Sequence, residues 1–125
     1  GRGLFLCAHL MGGLPGDVPD RLARDARELA DRGFHALKFH PLHVLRGTDL
    51  EDLYRRGLFD PVSEEIYRDQ VIRALGALRE ETILQRLTAD APPDRLVAPL
   101  WMGDKSGFLL RLREEMEARG IRQGR

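Results

Sequence analysis

What most narrows the folds open to this chain is a pattern in its first forty residues: an apolar run, a glycine-rich turn, an amphipathic stretch and a second apolar run. Gly3 to Met11 is short and is closed by a Gly/Pro cluster, which marks a buried strand. Side chains alternate along a strand, so Leu4, Leu6, Ala8 and Leu10 share one face and Phe5, Cys7, His9 and Met11 the other. The aliphatic face suits packing under helices, and the mixed face suits a barrel interior or a site. After the Gly12–Asp17 turn, the spacing predicts a helix from Pro19 to Arg32, with Leu22, Ala26, Leu29 and Ala30 as its stripe and Gly33 as its stop. Phe34 to His40 is a second strand, with Leu37 and Phe39 opposite to Lys38 and His40. Strand, helix and strand in so short a span make a βαβ unit, whose strands run parallel. The fold class is therefore α/β.

Beyond this unit helices dominate. Pro41 to Gly47 reads as a connecting loop. Thr48 caps a short helix to Arg56, ended by Gly57. Ser63 caps a longer one to Leu78, with Glu64 and Glu65 at its positive end, Val62 placed to staple onto Tyr67, and Tyr67, Val71, Ala74, Leu75 and Leu78 inward. Ile83 to Leu87 is a short strand, and Thr88 to Gly103 is loop. Asp104 caps a last helix that turns Phe108, Leu109, Leu112 and Met116 inward and stops at Gly120. Its Arg/Glu-rich remainder reads as a solvated face.

Composition removes several classes. Twenty basic residues balance twenty acidic ones, so no bulk field favours nucleic acid or an anionic membrane. No apolar run approaches the ~20 residues of a membrane helix. Cys7 is the only cysteine, which excludes an internal disulfide, a Cys-rich zinc site and an iron–sulfur cluster held by this chain alone. The chain enters its first strand within three residues, without a methionine or a secretory pattern. It reads as the truncated part of a longer, cytoplasmic protein.

Few residues carry chemistry. The glycine turn sits at the C-terminal end of a parallel strand and opens a helix, the edge where α/β folds bind ligands. Its spacing is neither a P-loop nor the dinucleotide fingerprint, and an ordinary strand-to-helix turn fits it equally well. Lys38 inside a buried strand needs a partner or a polar cavity. His40 and His43 could share a metal only if the chain turns at Pro41, and no acidic residue completes the motif. A small metal-dependent hydrolase using His9, His40 and His43 therefore stays open, as does a non-catalytic α/β interaction module. Ser63 and Ser106 sit at helix starts, where capping or first-turn placement explains them. Cys7 is expected to be inert in mid-strand unless its face opens onto a cavity, and Trp101 to anchor the late loop.

Longer stretches carry a resemblance. His9-Leu10-Met11-Gly12-Gly13-Leu14-Pro15-Gly16-Asp17 is similar to the fifth-strand turn of radical S-adenosylmethionine (SAM) enzymes. The segment from Lys38 to Thr48 resembles the sixth strand of the YhcC/YtqA-type subgroup. The likeness continues through Leu53–Gly57, Ser63–Glu65, Arg86–Pro92 and Ala98–Trp101, and the catalytic subunit of elongator, a tRNA-modifying enzyme, is a near neighbour. Asp17 stands where that family usually has Glu, and Gly12 where a larger apolar residue is common, which leaves room beside the turn.

The resemblance implies the C-terminal half of a partial (β/α)6 radical SAM barrel. Residues 1–48 would be its last βαβ unit, and 49–125 a mostly helical extension. It implies a SAM cofactor and a 4Fe-4S cluster whose Cys-x3-Cys-x2-Cys loop lies in the missing N-terminal half, the first partner expected. The parent's activity would be reductive cleavage of SAM to a 5′-deoxyadenosyl radical that abstracts hydrogen from an unknown substrate. Met11, Gly12, Gly13, His40 and Leu42 match the positions that border SAM in the family, with the backbone of 40–42 against the adenine. Strand parity adds His9, Lys38 and His40 as substrate-side groups. No metal ligand is assigned within this chain. An RNA substrate follows from the elongator likeness alone.

Overall fold

The computed structural model describes residues 5–124, so Gly3 and Leu4 of the expected first strand lie outside it. Strand β1 spans Cys7–Gly12, helix α1 Arg21–Asp31 and strand β2 Ala36–Pro41. β1 and β2 are parallel, with Cys7 opposite Ala36, His9 opposite Lys38 and Met11 opposite His40. Strand β4, Ile83–Arg86, pairs parallel on the other side of β2, which gives the order β1-β2-β4. The two stretches 1–48 and 49–125 thus share one sheet.

The helices form where caps and stripes dictate. α1 begins at Arg21, two residues after Pro19, and Asp20 makes no side-chain cap. Thr48 Oγ1 caps α2, Asp49–Arg55, through the Glu51 N–H. Ser63 caps α3, Glu64–Ala77, through the Ile66 N–H, and Asp104 caps α4, Lys105–Arg119, through the Gly107 N–H at 3.0 Å. Such caps satisfy donors that the first helical turn leaves free. Gly120 ends α4 in the left-handed region.

α1 and α3 cover one face of the sheet. Leu22, Ala26, Leu37, Phe39, Tyr67, Val71 and Phe108 belong to the buried core there, and Ala8 and Leu10 pack against it, as their parity predicts. Tyr67 is central. Its ring lies 5.6 Å from Trp101 and 5.7 Å from Phe108, and its hydroxyl donates to the Leu87 carbonyl at 2.8 Å. Burial pushes the phenol's pKa up, so it keeps the proton it donates. Trp101 Nε1 donates to the Val62 carbonyl at 3.0 Å, which is the anchoring expected of it.

Three expectations need correction. The stretches 41–47 and 88–103 are not plain loop: they hold strand β3, Val44–Leu45, strand β5, Leu96–Ala98, and a 3-10 turn, Leu100–Gly103. β3 and β5 pair antiparallel over a second small core of Val44, Phe59 and Ala98. Elements of two or three residues carry no periodicity, and only a distant partner creates them. Leu109 does not turn inward, being 40% exposed on α4. The charged side of α4 is not merely solvated either. Arg111 reaches Glu64 at 2.8 Å, Arg68 reaches Glu115 at 3.0 Å and Arg119 reaches Asp69 at 2.8 Å, tying α4 to α3.

Candidate functional site

The sheet face away from the helices carries the residues that parity placed together. Cys7, His9 and Met11 of β1 lie beside Ala36, Lys38 and His40 of β2. His9 and Met11 are exposed, and Lys38 and His40 half-buried. The alternation that put Leu37 and Phe39 in the core left the opposite face for these groups.

His9 and His40 form the core of the arrangement. Nδ1 of His9 and Nε2 of His40 are 3.0 Å apart, and the rings stack at 5.2 Å with planes 11° apart. One ring donates and the other accepts, so both cannot be imidazolium while the bond holds. Burial first, then the charges of His9, Arg86, His43 and Lys38, pushes the His40 pKa below the usual histidine range. A neutral His40 beside cationic neighbours can accept a proton or a hydrogen bond at neutral pH. Lower on the strands, the Cys7 thiol donates to Gln85 Oε1 at 3.3 Å, and Ala36 between their strands is fully buried.

His43 does not join the pair. Its Nδ1 is 2.9 Å from the Pro41 carbonyl, which accepts from it. Among the described residues no group of three His, Cys, Asp or Glu side chains is placed to share a metal ion. The geometry gives the metal hydrolase no ligand set.

The glycine turn is built differently from an open cradle. A side chain at Gly12 would meet Tyr67 Cε1 at 2.8 Å and Gln70 Oε1 at 2.9 Å, so the room expected beside the turn is filled. Gly13 has φ +70° with Val62 pressed against it, and its N–H donates to Gln70 Oε1 at 2.9 Å. Gln70 Nε2 in turn donates to Asp17 at 3.0 Å. Asp17 also accepts from the Val18 N–H at 3.0 Å and from Arg21 Nε at 2.9 Å. The Arg21 hydrogen bond is the main reason its carboxyl lies below the ordinary Asp range, with burial opposing. Arg21 also donates to the Met11 carbonyl at 2.5 Å. The chain's own carboxylate thus takes up the Leu14 and Val18 N–H groups of the turn. At the end of β2, the Leu42 N–H donates to the Gly12 carbonyl at 3.0 Å, and the Leu42 side chain packs on the second core. On the sheet face the Met11 side chain is 39% exposed and the His40 opposite it half-buried, and a separate cavity beside the turn is lined by Gly13, Gly16, Asp17 and Val62.

Gln70 and Arg21 escaped the sequence reading. Gln70 is 2% exposed in the middle of α3, where a lone polar residue among Tyr67, Val71 and Ala74 is the signal that could have found it. No comparable signal marks Arg21, one of many arginines.

The sequence matches the Radical_SAM C-terminal domain over residues 34–118. YtqA of Bacillus subtilis is 32% identical over 99% of this chain and 38% of its own length. YhcC of Escherichia coli is 27% identical over 96% of the chain and 39% of its length. The solved structure of Elp3 from Methanocaldococcus infernus superposes with a TM-score of 0.76 at 25% identity, over 97% of this chain and 28% of that one. The chain thus spans about two-fifths of the length of each of these two curated relatives. With most of its length inside the family's bounds and a relative at 32% identity along nearly all of it, this chain belongs to the radical SAM C-terminal domain family.

Proposed function

We propose that the chain is the C-terminal part of a radical SAM enzyme. In this reading residues 1–48 are the last βαβ unit of a partial (β/α)6 barrel, 49–125 are its extension, and the open sheet face looks into the lumen. The observation that carries it is the pairing of Met11 with His40 at the C-terminal ends of adjacent parallel strands, on the face the helices leave free. Ligands in α/β folds gather at that edge.

The residues fit one part of the cofactor set and not the other. A soft, exposed thioether at Met11 suits the flat face of an adenine, bordered by the chain from His40 to Leu42. A cluster finds no ligand set here, since the one cysteine is the first residue of β1 with its thiol on Gln85; the N-terminal part of the protein would hold it. When bound, SAM and a 4Fe-4S cluster supply a radical that abstracts hydrogen, and the protein's share is to position and shield. Met11 orients the nucleoside, while His9, Lys38 and His40 face the substrate. Gly12 and Gly13 act at one remove: they let α3 press against the turn that carries Met11.

The test uses the full-length protein. Lys38→Ala should lower substrate-dependent turnover while the cluster's absorbance is unchanged. Met11→Glu should weaken SAM binding about tenfold or more, because a carboxylate there meets an apolar ring face. Unchanged SAM affinity in Met11→Glu refutes the assignment of this face. An elongator-type RNA substrate is the second reading, favoured by the cationic Lys38 and Arg86 that act on His40. Salt-dependent tRNA binding that Lys38→Ala weakens would support it.

A further inference from the structure

The open sheet face carries a row of positive groups with no negative one to match. Register sets His9 of β1 opposite Lys38 of β2 and, past a register shift, Lys38 opposite Arg86 of β4. No Asp or Glu stands in any of these three strands. Lys38 is half-buried and has neither an ion pair nor a hydrogen bond among the described residues. Its ammonium is still within reach of solvent, since the one enclosed side-chain nitrogen or oxygen without a partner there is Thr88 Oγ1. Arg86 is only loosely matched: its Nη2 lies 3.5 Å from Asp90, a carboxylate that also pairs with Lys105. His40 completes the patch, and the charges of His9, Arg86, His43 and Lys38 all push it toward its neutral form. Like charges set opposite each other on a sheet cost stability, so packing gives no reason for this row, whereas an anion would.

The two imidazoles supply donors as well. With His9 Nδ1 and His40 Nε2 sharing one hydrogen, the ring that accepts it carries its own proton on its other nitrogen. The neutral pair thus presents one N–H besides the shared one, and a single added proton makes it two without breaking the bond between the rings. A neighbouring oxyanion favours that proton. Adjacent strands lie about 4.8 Å apart, so the row from His9 to Arg86 spans about 10 Å, the breadth of one small ligand. The chain carries no net charge, which provides no basic track for a polyanion.

We propose that the substrate brought to this face is a small molecule bearing an oxyanion, a phosphate or a carboxylate, held by Lys38 and Arg86 together with an N–H of the His9–His40 pair. This assignment rests on the radical SAM reading, which makes the face a lumen wall, and adds the chemical class of the substrate. Lys38 and Arg86 contribute charge-assisted donors, the stronger kind.

The experiment is calorimetric titration of the full-length holoenzyme with sulfate, a phosphate stand-in that does not titrate near neutral pH, and with acetate. It is run with and without saturating SAM, in two buffers of different ionisation enthalpy. One or both anions should bind saturably, the tighter naming the group, and binding should persist with SAM bound. The difference between buffers should show proton uptake, which His9→Phe combined with His40→Phe removes. Lys38→Met should weaken the anion about tenfold, the worth of a hydrogen bond to a charged group, and Lys38→Arg should restore it. Arg24→Met, which removes the same charge from an exposed position on α1, should change nothing. No saturable binding of either anion overturns the proposal, since Lys38 would then be matched from within the protein. So does binding that SAM abolishes, because the place would be that of SAM's own carboxylate. A loss in Lys38→Met no larger than in Arg24→Met, or proton uptake that survives the double substitution, overturns it too. So does tRNA that displaces sulfate at micromolar concentration, since the occupant would then be a polyanion. Sulfate binding without SAM does not depend on the radical SAM reading, whose own test is the SAM affinity of Met11→Glu, so the two failures are read apart.

Discussion

Gly12→Ala tests the claim that α3 is pressed onto the turn carrying Met11. The added methyl would lie 2.8 and 3.0 Å from two ring carbons of Tyr67 and 2.9 Å from Gln70 Oε1. Neither neighbour can yield freely. Tyr67 is fully buried, fixed by its hydrogen bond to Leu87 and packed on Trp101 and Phe108. Gln70 is held by Gly13 and Asp17. Overpacking of this kind costs about 1–3 kcal/mol, and loosening the Gln70–Gly13 hydrogen bond adds about 1, for about 2–4 kcal/mol in all. Gly16→Ala is the control: it has φ +68° and open space around it, so only backbone strain of about 1–2 kcal/mol applies. Urea unfolding of the two variants and the wild type, followed by tryptophan fluorescence, measures the difference. A Gly12→Ala protein within about 0.5 kcal/mol of wild type, the scatter of a neutral surface change, would refute the packing argument.

Further outcomes follow from the same geometry. Gln70→Met should destabilise by about 1–3 kcal/mol, because the buried Gly13 N–H loses its acceptor; a midpoint equal to wild type would show another acceptor. His40 has a lowered folded-state pKa, so the unfolded chain binds its proton first. Stability tied to His40 is therefore present above the unfolded value near 6.5 and is lost as pH falls through the interval down to the folded value. His40→Gln should flatten that part of the pH dependence of the urea midpoint, and an unaltered profile would contradict the shift. Ser63→Ala should cost about 1 kcal/mol through the lost cap on α3, read from the same unfolding curves.

Much of the architecture was legible because it is local. The βαβ unit, the caps at Thr48, Ser63 and Asp104 and the parity of both main strands all rest on spacing within single elements. Parity was enough to bring His9, Met11, Lys38 and His40 to one face. It could not show that the His9 and His40 rings stack, because that depends on strand register. Nor could it show that the turn's glycines serve α3 rather than an open cradle, since Tyr67 and Gln70 lie more than fifty residues away. The β3–β5 pair was invisible for the same reason: each half is too short to announce itself without the other.

By itself, then, the amino-acid order determined which side chains share a strand face, where helices start and stop, and which family the chain resembles, because these follow from periods of two and 3.6 residues and from contiguous motifs. The tertiary structure alone decided what those side chains meet. It paired two imidazoles, tied the glycine turn to α3 through Asp17 and Gln70, and left the buried Thr88 hydroxyl without a partner among the described residues. Contacts between residues far apart along the chain depend on how the elements pack, and no short-range pattern encodes that.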